Sequence, residues 1–143
     1  MIKRLSHIAI VVNNLADARK IWGEAFHLIE KSTEVIPIHG IKNAFLVLGD
    51  NLIELIEPID HQDMNNPVAR WLATRGEGLY HLALIVDDVA EEAKLLQRKG
   101  VTIMEGKVSD SSVASSWNSS AKPCWVHPKS ASGTLLALLQ EKP

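Results

Sequence analysis

The sequence predicts an α+β fold in which two β-α-β-β-β modules pack as one curved mixed sheet around a cavity, with the helices outside. This prediction rests on a repeat in the sequence. The apolar, β-branched stretch Leu5–Val12 recurs about half a chain later as Leu79–Val86, with a histidine third in each copy. Each copy is followed by a segment with apolar residues at helical spacing. A self-match at half the length of a 143-residue chain indicates one module written twice.

The first module covers residues 1–58 and is predicted to begin with a strand at 4–12. Asn14 is a predicted helix N-cap, with Asp17 at the third helical position, and the helix should run to about Phe26. Gly40 marks a turn. Further strands are predicted at 32–38, 44–48 and 52–57.

A connector with a short helix is predicted for residues 59–78, with Pro67 in the first turn of a helix at 67–74. The second module, 79–143, repeats the pattern with Asp88 as N-cap and Gly100 after the helix. Its remaining strands are predicted at 101–104, 124–126 and 134–139. The serine-rich stretch Lys107–Lys122 has the composition of either a lid over the cavity or a disordered surface loop.

Composition excludes several classes of function. The formal net charge of −2 shows no basic excess, so nucleic acid is not an expected partner. The apolar runs have the length of strands, and the N-terminus lacks a signal-peptide pattern, so no membrane association and a cytoplasmic location are expected. The single cysteine, Cys124, excludes an internal disulfide.

Three residues suggest a metal site. A lone histidine in a strand is usually a core or surface residue, but His7 and His81 occupy matching positions of the repeat. Glu54 shares a strand face with Leu52 and Ile56, where a buried carboxylate is costly unless it is paired or coordinated. The alternative is that this face of the strand is exposed to solvent. Two imidazoles and one carboxylate suit a divalent ion of Zn, Co, Ni, Mn or Fe.

Five stretches together resemble the vicinal-oxygen-chelate superfamily, which includes glyoxalase I, extradiol dioxygenases, bleomycin-resistance proteins and methylmalonyl-CoA epimerase. The resemblance covers nearly the whole chain and is greatest to the epimerase branch. The stretches are His7–Ile10, Ile53–Pro58, Gly78–Asp88, His127–Ser130 and Gly133–Gln140.

The resemblance implies one metal ligand on each of the first, fourth, fifth and eighth strands. His7, Glu54 and His81 stand at the first three positions, whereas Ala137 stands where the family has a glutamate that is also an acid/base candidate. Some members carry another carboxylate near the third strand, but Ile36–Phe45 contains no acid. No catalytic residue is therefore predicted.

The implied function is that of a metal-dependent epimerase, isomerase or glyoxalase-type lyase. It would act through an enolate on a small acyl-CoA or dicarbonyl substrate, in a homodimer. The alternative is a non-catalytic small-molecule binding or resistance protein. A dioxygenase ranks last because its carboxylate ligand would fall at Ala137. Lys122 and Lys129 are solvated loop lysines or hold an anionic group, and His127 is expected to shape a turn.

Overall fold

A computed structural model describes residues 1–104 and 122–141 and confirms the α+β class. The strands are β1 (Ile2–Val11), β2 (Ile29–Ile36), β3 (Ile41–Leu48), β4 (Asn51–Pro58), β5 (Gly78–Val86), β6 (Ile103–Met104), β7 (Cys124–Val126) and β8 (Leu136–Gln140). The α-helices are α1 (Leu15–Arg19), α2 (Pro67–Arg75) and α3 (Val89–Arg98). The β-α-β-β-β order predicted from the repeat is thus present twice.

Backbone hydrogen bonds join the strands into one mixed sheet in the order β2-β3-β4-β1-β5-β8-β7-β6. Strand β1 runs parallel to β4, and β5 runs parallel to β8. The neighbours β2/β3, β3/β4, β6/β7 and β7/β8 are antiparallel. The chain groups into two compact units, and β1 and β5 contribute residues to both: one unit is His7–Tyr80, and the other is Met1–Ser6 with His81–Pro143.

In the unit His7–Tyr80, both faces of the strands are covered by helices. Helix α1 packs on one face through a cluster of Val12, Leu15, Ala18, Ala44, Leu46, Ile53 and Leu55. Helix α2 packs near the other face in a cluster of Val11, Ile36, Ile41, Ile56, Val68 and Leu72. Because this second cluster leaves part of its face to polar side chains, that face is where a site can form.

The other unit, like the first, has a helix packed on one face of its strands. Helix α3 packs on one face through Val89 and its neighbours in a cluster that also holds Val86, Cys124, Val126 and Leu138. The opposite face carries a smaller cluster of Ala83, Ile85, Ala137 and Leu139, with Trp125 packed against it.

The helix starts confirm the caps predicted from the sequence. The Asn14 side chain accepts a hydrogen bond from the Asp17 N–H, and Asp88 does the same for Glu91, both at 2.9 Å. The first helix differs beyond Arg19, because Lys20–Ala25 continues in wider π-helical turns. Gly23 lies in these turns and lowers their preference for the α conformation.

The entry into α1 is fixed by a carboxylate on β4. Glu57 is buried, and its Oε1 accepts a hydrogen bond from the Leu15 N–H at 2.6 Å. Its Oε2 lies 2.9 Å from His61 Nε2 and 3.5 Å from Lys42 Nζ. Burial opposes ionisation, but the bonds from His61 and Leu15 and the charge of Lys42 outweigh it, so the pKa of Glu57 is lowered. In the repeat, the uncharged Gln140 accepts from Val89 N–H in the same way.

Replacing Glu57 with glutamine should retain the bond to Leu15 and remove the charge, at a cost of about 1–2 kcal/mol in the free energy of unfolding at pH 7. Because the folded-state pKa is lowered, this contribution is complete above the ordinary glutamate pKa of about 4.3 and is lost as the pH falls through the folded-state value. Urea unfolding of both proteins between pH 7 and pH 3 measures it. A difference that stays constant over this range would contradict the assigned ion pairs.

Candidate metal centre

His7 lies on β1, on the face that it shares with Ala9 and Val11. It is 4% exposed, and its Nε2 lies 3.5 Å from Oε1 of Glu54. The ring meets Phe45 edge-on, with 5.6 Å between ring centroids. These contacts hold one imidazole nitrogen beside a carboxylate, in apolar surroundings.

Glu54 lies on β4 opposite Phe45 of β3 and Ala9 of β1. It is 6% exposed, so the alternative of a solvent-exposed strand face is wrong. The side-chain amide of Asn43 donates a hydrogen bond of 2.9 Å from Nδ2 to Glu54 Oε2. Asn43 is itself 2% exposed. Burial of a carboxylate here is compensated by the Asn43 amide on one oxygen and by His7 beside the other.

His81 lies on β5 and is also buried. Its ring meets the Trp125 indole of β7 edge-on, at 4.9 Å between centroids. Since side chains alternate across a strand, Ala83 lies on the same face. The second repeated histidine therefore sits against an apolar, aromatic surface.

The three predicted ligands come together. His7, Glu54 and His81 each offer one ligand atom, and these atoms all lie within 4.8 Å of one another. Two imidazoles and a carboxylate, all buried, form a donor set that suits a divalent transition metal. The residues present therefore fit the metal that the sequence predicts.

Ala137 lies on β8, where its backbone pairs with Ala83 of β5 and Trp125 of β7. It is 2% exposed and lies in the cluster with Ala83, Ile85 and Leu139. A methyl group provides no metal ligand, and β8 from Leu136 to Gln140 contains no acid. The candidate donor set therefore consists of His7, Glu54 and His81, with no ligand from the described residues of β8.

Tyr80 adds an ionisable group next to the candidate ligands, and the sequence reasoning missed it. Burial raises the pKa of its phenol to about 12, the charge of Glu54 adds to this rise, and Arg70 opposes it. Its ring meets Trp71 edge-on at 5.2 Å. At neutral pH the phenol is protonated, so it can donate a hydrogen bond but is not a base.

The other residues named from the sequence have the following contacts and exposure. His127 shapes a turn as expected, because its Nδ1 accepts a hydrogen bond from the Lys129 N–H at 3.0 Å. Lys122 and Lys129 are exposed, as solvated lysines would be. The predicted lid lies outside the described residues except for Lys122. Within 1–104 and 122–141, no helix combines the length and apolar character needed to cross a membrane.

Comparison with known proteins decides the family. The sequence model of the glyoxalase/bleomycin resistance protein/dioxygenase superfamily matches residues 6–117, which is most of the chain. The chain belongs to this superfamily. The family predicted from the motifs is thereby confirmed.

Relatives within the superfamily include an uncharacterised protein, YqjC, from Bacillus subtilis. It is 26% identical over 139 residues, which are 97% of this chain and 93% of the relative. Human mitochondrial methylmalonyl-CoA epimerase is 27% identical over 139 residues, covering 96% of this chain and 73% of the enzyme. A methylmalonyl-CoA epimerase variant from Streptomyces coelicolor, solved with 2-nitronate-propionyl-CoA, superposes with a TM-score of 0.82. It is 25% identical, and the match covers all of both chains.

Proposed function

We propose that this superfamily member is a metal-dependent, epimerase-like enzyme that acts on a small acyl-CoA thioester or a related dicarbonyl compound. Its ligands are His7, Glu54 and His81. The observation that carries the proposal is the mutual approach of their ligand atoms to within 4.8 Å at buried positions. The epimerase activity of the human relative and the acyl-CoA analogue bound by the Streptomyces structure support the substrate class.

The chemistry follows from the donor set. A divalent ion held there would supply a Lewis acid that stabilises the negative charge developing on the carbonyl oxygen of a thioester or ketone as its α-proton is lost. The protein's part is to hold the ligands rigidly and to exclude water. Asn43 holds the carboxylate of Glu54, and the rings of Phe45 and Trp125 lie against the two histidines. A buried, apolar lining strengthens electrostatic interactions with the developing charge.

A base for proton abstraction is not assigned. Tyr80 is protonated at neutral pH, because its pKa is raised to about 12. Ala137 replaces the eighth-strand carboxylate that the resemblance implies, and Asn43 is a neutral amide on the third strand. The identified groups thus provide binding and electrostatic stabilisation rather than proton transfer.

These replacements favour a second candidate function, a small-molecule binding protein that retains the metal without rapid turnover. The specific observation is that Ala137, at the eighth-strand position where the resemblance implies an acid, and Asn43 on the third strand are both uncharged and buried. Such a protein would bind the same class of thioester or dicarbonyl compound and release it unchanged.

Exchange of the α-proton separates the two functions. Tag-free protein loaded with Co²⁺ would be incubated with methylmalonyl-CoA in D₂O, with loss of the α-proton signal followed by NMR. The enzyme function predicts catalysed exchange that stops when a chelator removes the metal, and that falls to background in His7→Ala. Saturable binding of the thioester without exchange would overturn the enzyme assignment in favour of the binding protein.

A further inference from the structure

Asn43 is the third residue of β3 and is almost completely buried, with 2% of its surface exposed. Its backbone pairs with Ile56 of β4 and with Glu34 of β2. The side chain lies on the face that carries Phe45, and it reaches Glu54 through the 2.9 Å hydrogen bond from Nδ2. A polar side chain has thus been placed in the interior, beside a candidate metal ligand.

The orientation of this amide follows from the chemistry of its partner. An ionised carboxylate can only accept hydrogen bonds, so the NH₂ group of Asn43 has to face Glu54. The carbonyl oxygen, Oδ1, then points away from Glu54. Oδ1 is buried and has no hydrogen-bond partner among the residues that the structure describes. Buried polar atoms nearly always have a partner, so an unsatisfied acceptor at a candidate site indicates a donor supplied by something that binds there.

We infer that Asn43 is a specificity-determining residue whose Oδ1 accepts a hydrogen bond from a ligand hydroxyl beside the metal-binding oxygen. This rests on the proposed function. The matching substrate class is a thioester or ketone with a hydroxyl on the neighbouring carbon. The same amide also positions Glu54 through Nδ2, so one residue supports a metal ligand and selects the substrate group.

Two acyl-CoA probes that differ by a single hydroxyl test the selection. Dissociation constants for 2-hydroxypropionyl-CoA and propionyl-CoA would be measured by calorimetry on the Co²⁺-loaded protein. The wild-type protein should bind the hydroxy compound about 10-fold or more tightly, because a site built around a hydrogen bond rejects the analogue that lacks the donor. Asn43→Leu, which has a similar volume and no acceptor, should bind the two equally.

Asn43→Asp is the matched control. It keeps an acceptor oxygen and loses the donor to Glu54, so it should retain the preference for the hydroxy compound. Metal affinity, measured by chelator competition, should fall about 10–100-fold in Asn43→Leu if Nδ2 positions Glu54. Far-UV circular dichroism and thermal unfolding establish that each variant is folded.

The outcomes separate this inference from the proposed function. Wild-type protein that takes up no Co²⁺ would refute the metal site and, with it, the inference that rests on it. Wild-type protein that takes up Co²⁺ but binds both thioesters equally would refute the selection alone. A preference that is unchanged in Asn43→Leu would also overturn the inference, since the hydroxyl would then be recognised elsewhere and Oδ1 would hold only an ordered water.

Discussion

Replacing Glu54 with glutamine is expected to lower the affinity for Co²⁺ by at least about 100-fold, because the change would remove the negatively charged member of the three proposed ligands. Mutation of residues that only support the ligands typically lowers metal affinity about 10–100-fold, and loss of a ligand should lower it more. Competition with a chelator at a single pH measures the effect.

Stability provides an independent readout of the same change. Without metal, the two proteins should differ little in stability, because glutamine relieves the desolvation cost of the buried charge but gives up its pairing with His7. With metal at about 1,000 times the wild-type dissociation constant, the wild type should gain about 4 kcal/mol, and the variant should gain at most about 1.4 kcal/mol.

Glu57→Gln is the matched control for both measurements. Glu57 lies on the same strand and is also buried, but its hydrogen bonds go to Leu15 and His61. Its substitution should leave the Co²⁺ affinity unchanged. Equal losses of affinity in the two variants would show that Glu54 has no special role, and an unchanged affinity in Glu54→Gln would remove it from the ligand set.

The repeat and its caps could be predicted from the sequence because each depends on local chemistry. The order of residues alone shows a histidine at the same position in each copy of the repeat. It also shows a capping residue, Asn14 or Asp88, before each of the two helices. The burial of Glu54 could also be anticipated, since its neighbours along the strand are apolar. These features depend on side-chain alternation and helix capping, which operate within a few residues.

The parts that could not be predicted depend on contacts between distant residues. The sequence predicts a strand that begins at residue 44, whereas β3 begins at Ile41. The reason is that Glu54, from the next strand, satisfies the Asn43 amide and makes its burial tolerable. The edge-on contact of Trp125 with His81 likewise links two strands that are far apart in the sequence.

Replacing Ala137 with glutamate should restore a carboxylate at the eighth-strand position. The change should lower the stability of the metal-free protein and raise its affinity for metal. Ala137 is buried between its backbone partners Ala83 and Trp125, so a longer side chain overpacks the site. Overpacking costs about 1–3 kcal/mol, and an uncompensated buried charge adds to this. We expect a metal-free Ala137→Glu protein about 2–4 kcal/mol less stable than the wild type, with divalent metal bound about 10-fold more tightly.

Ala137→Gln separates these two effects, because it adds nearly the same volume without the charge. Both variants should lose stability through overpacking, but only the glutamate can neutralise and coordinate a cation. Thermal unfolding with and without Co²⁺ should therefore show a larger metal-dependent gain for glutamate than for glutamine or the wild type. A gain for glutamate that is no larger than that for glutamine would mean that position 137 does not face the metal. The absence of a fourth ligand would then follow from the position of β8 rather than from the loss of one side chain.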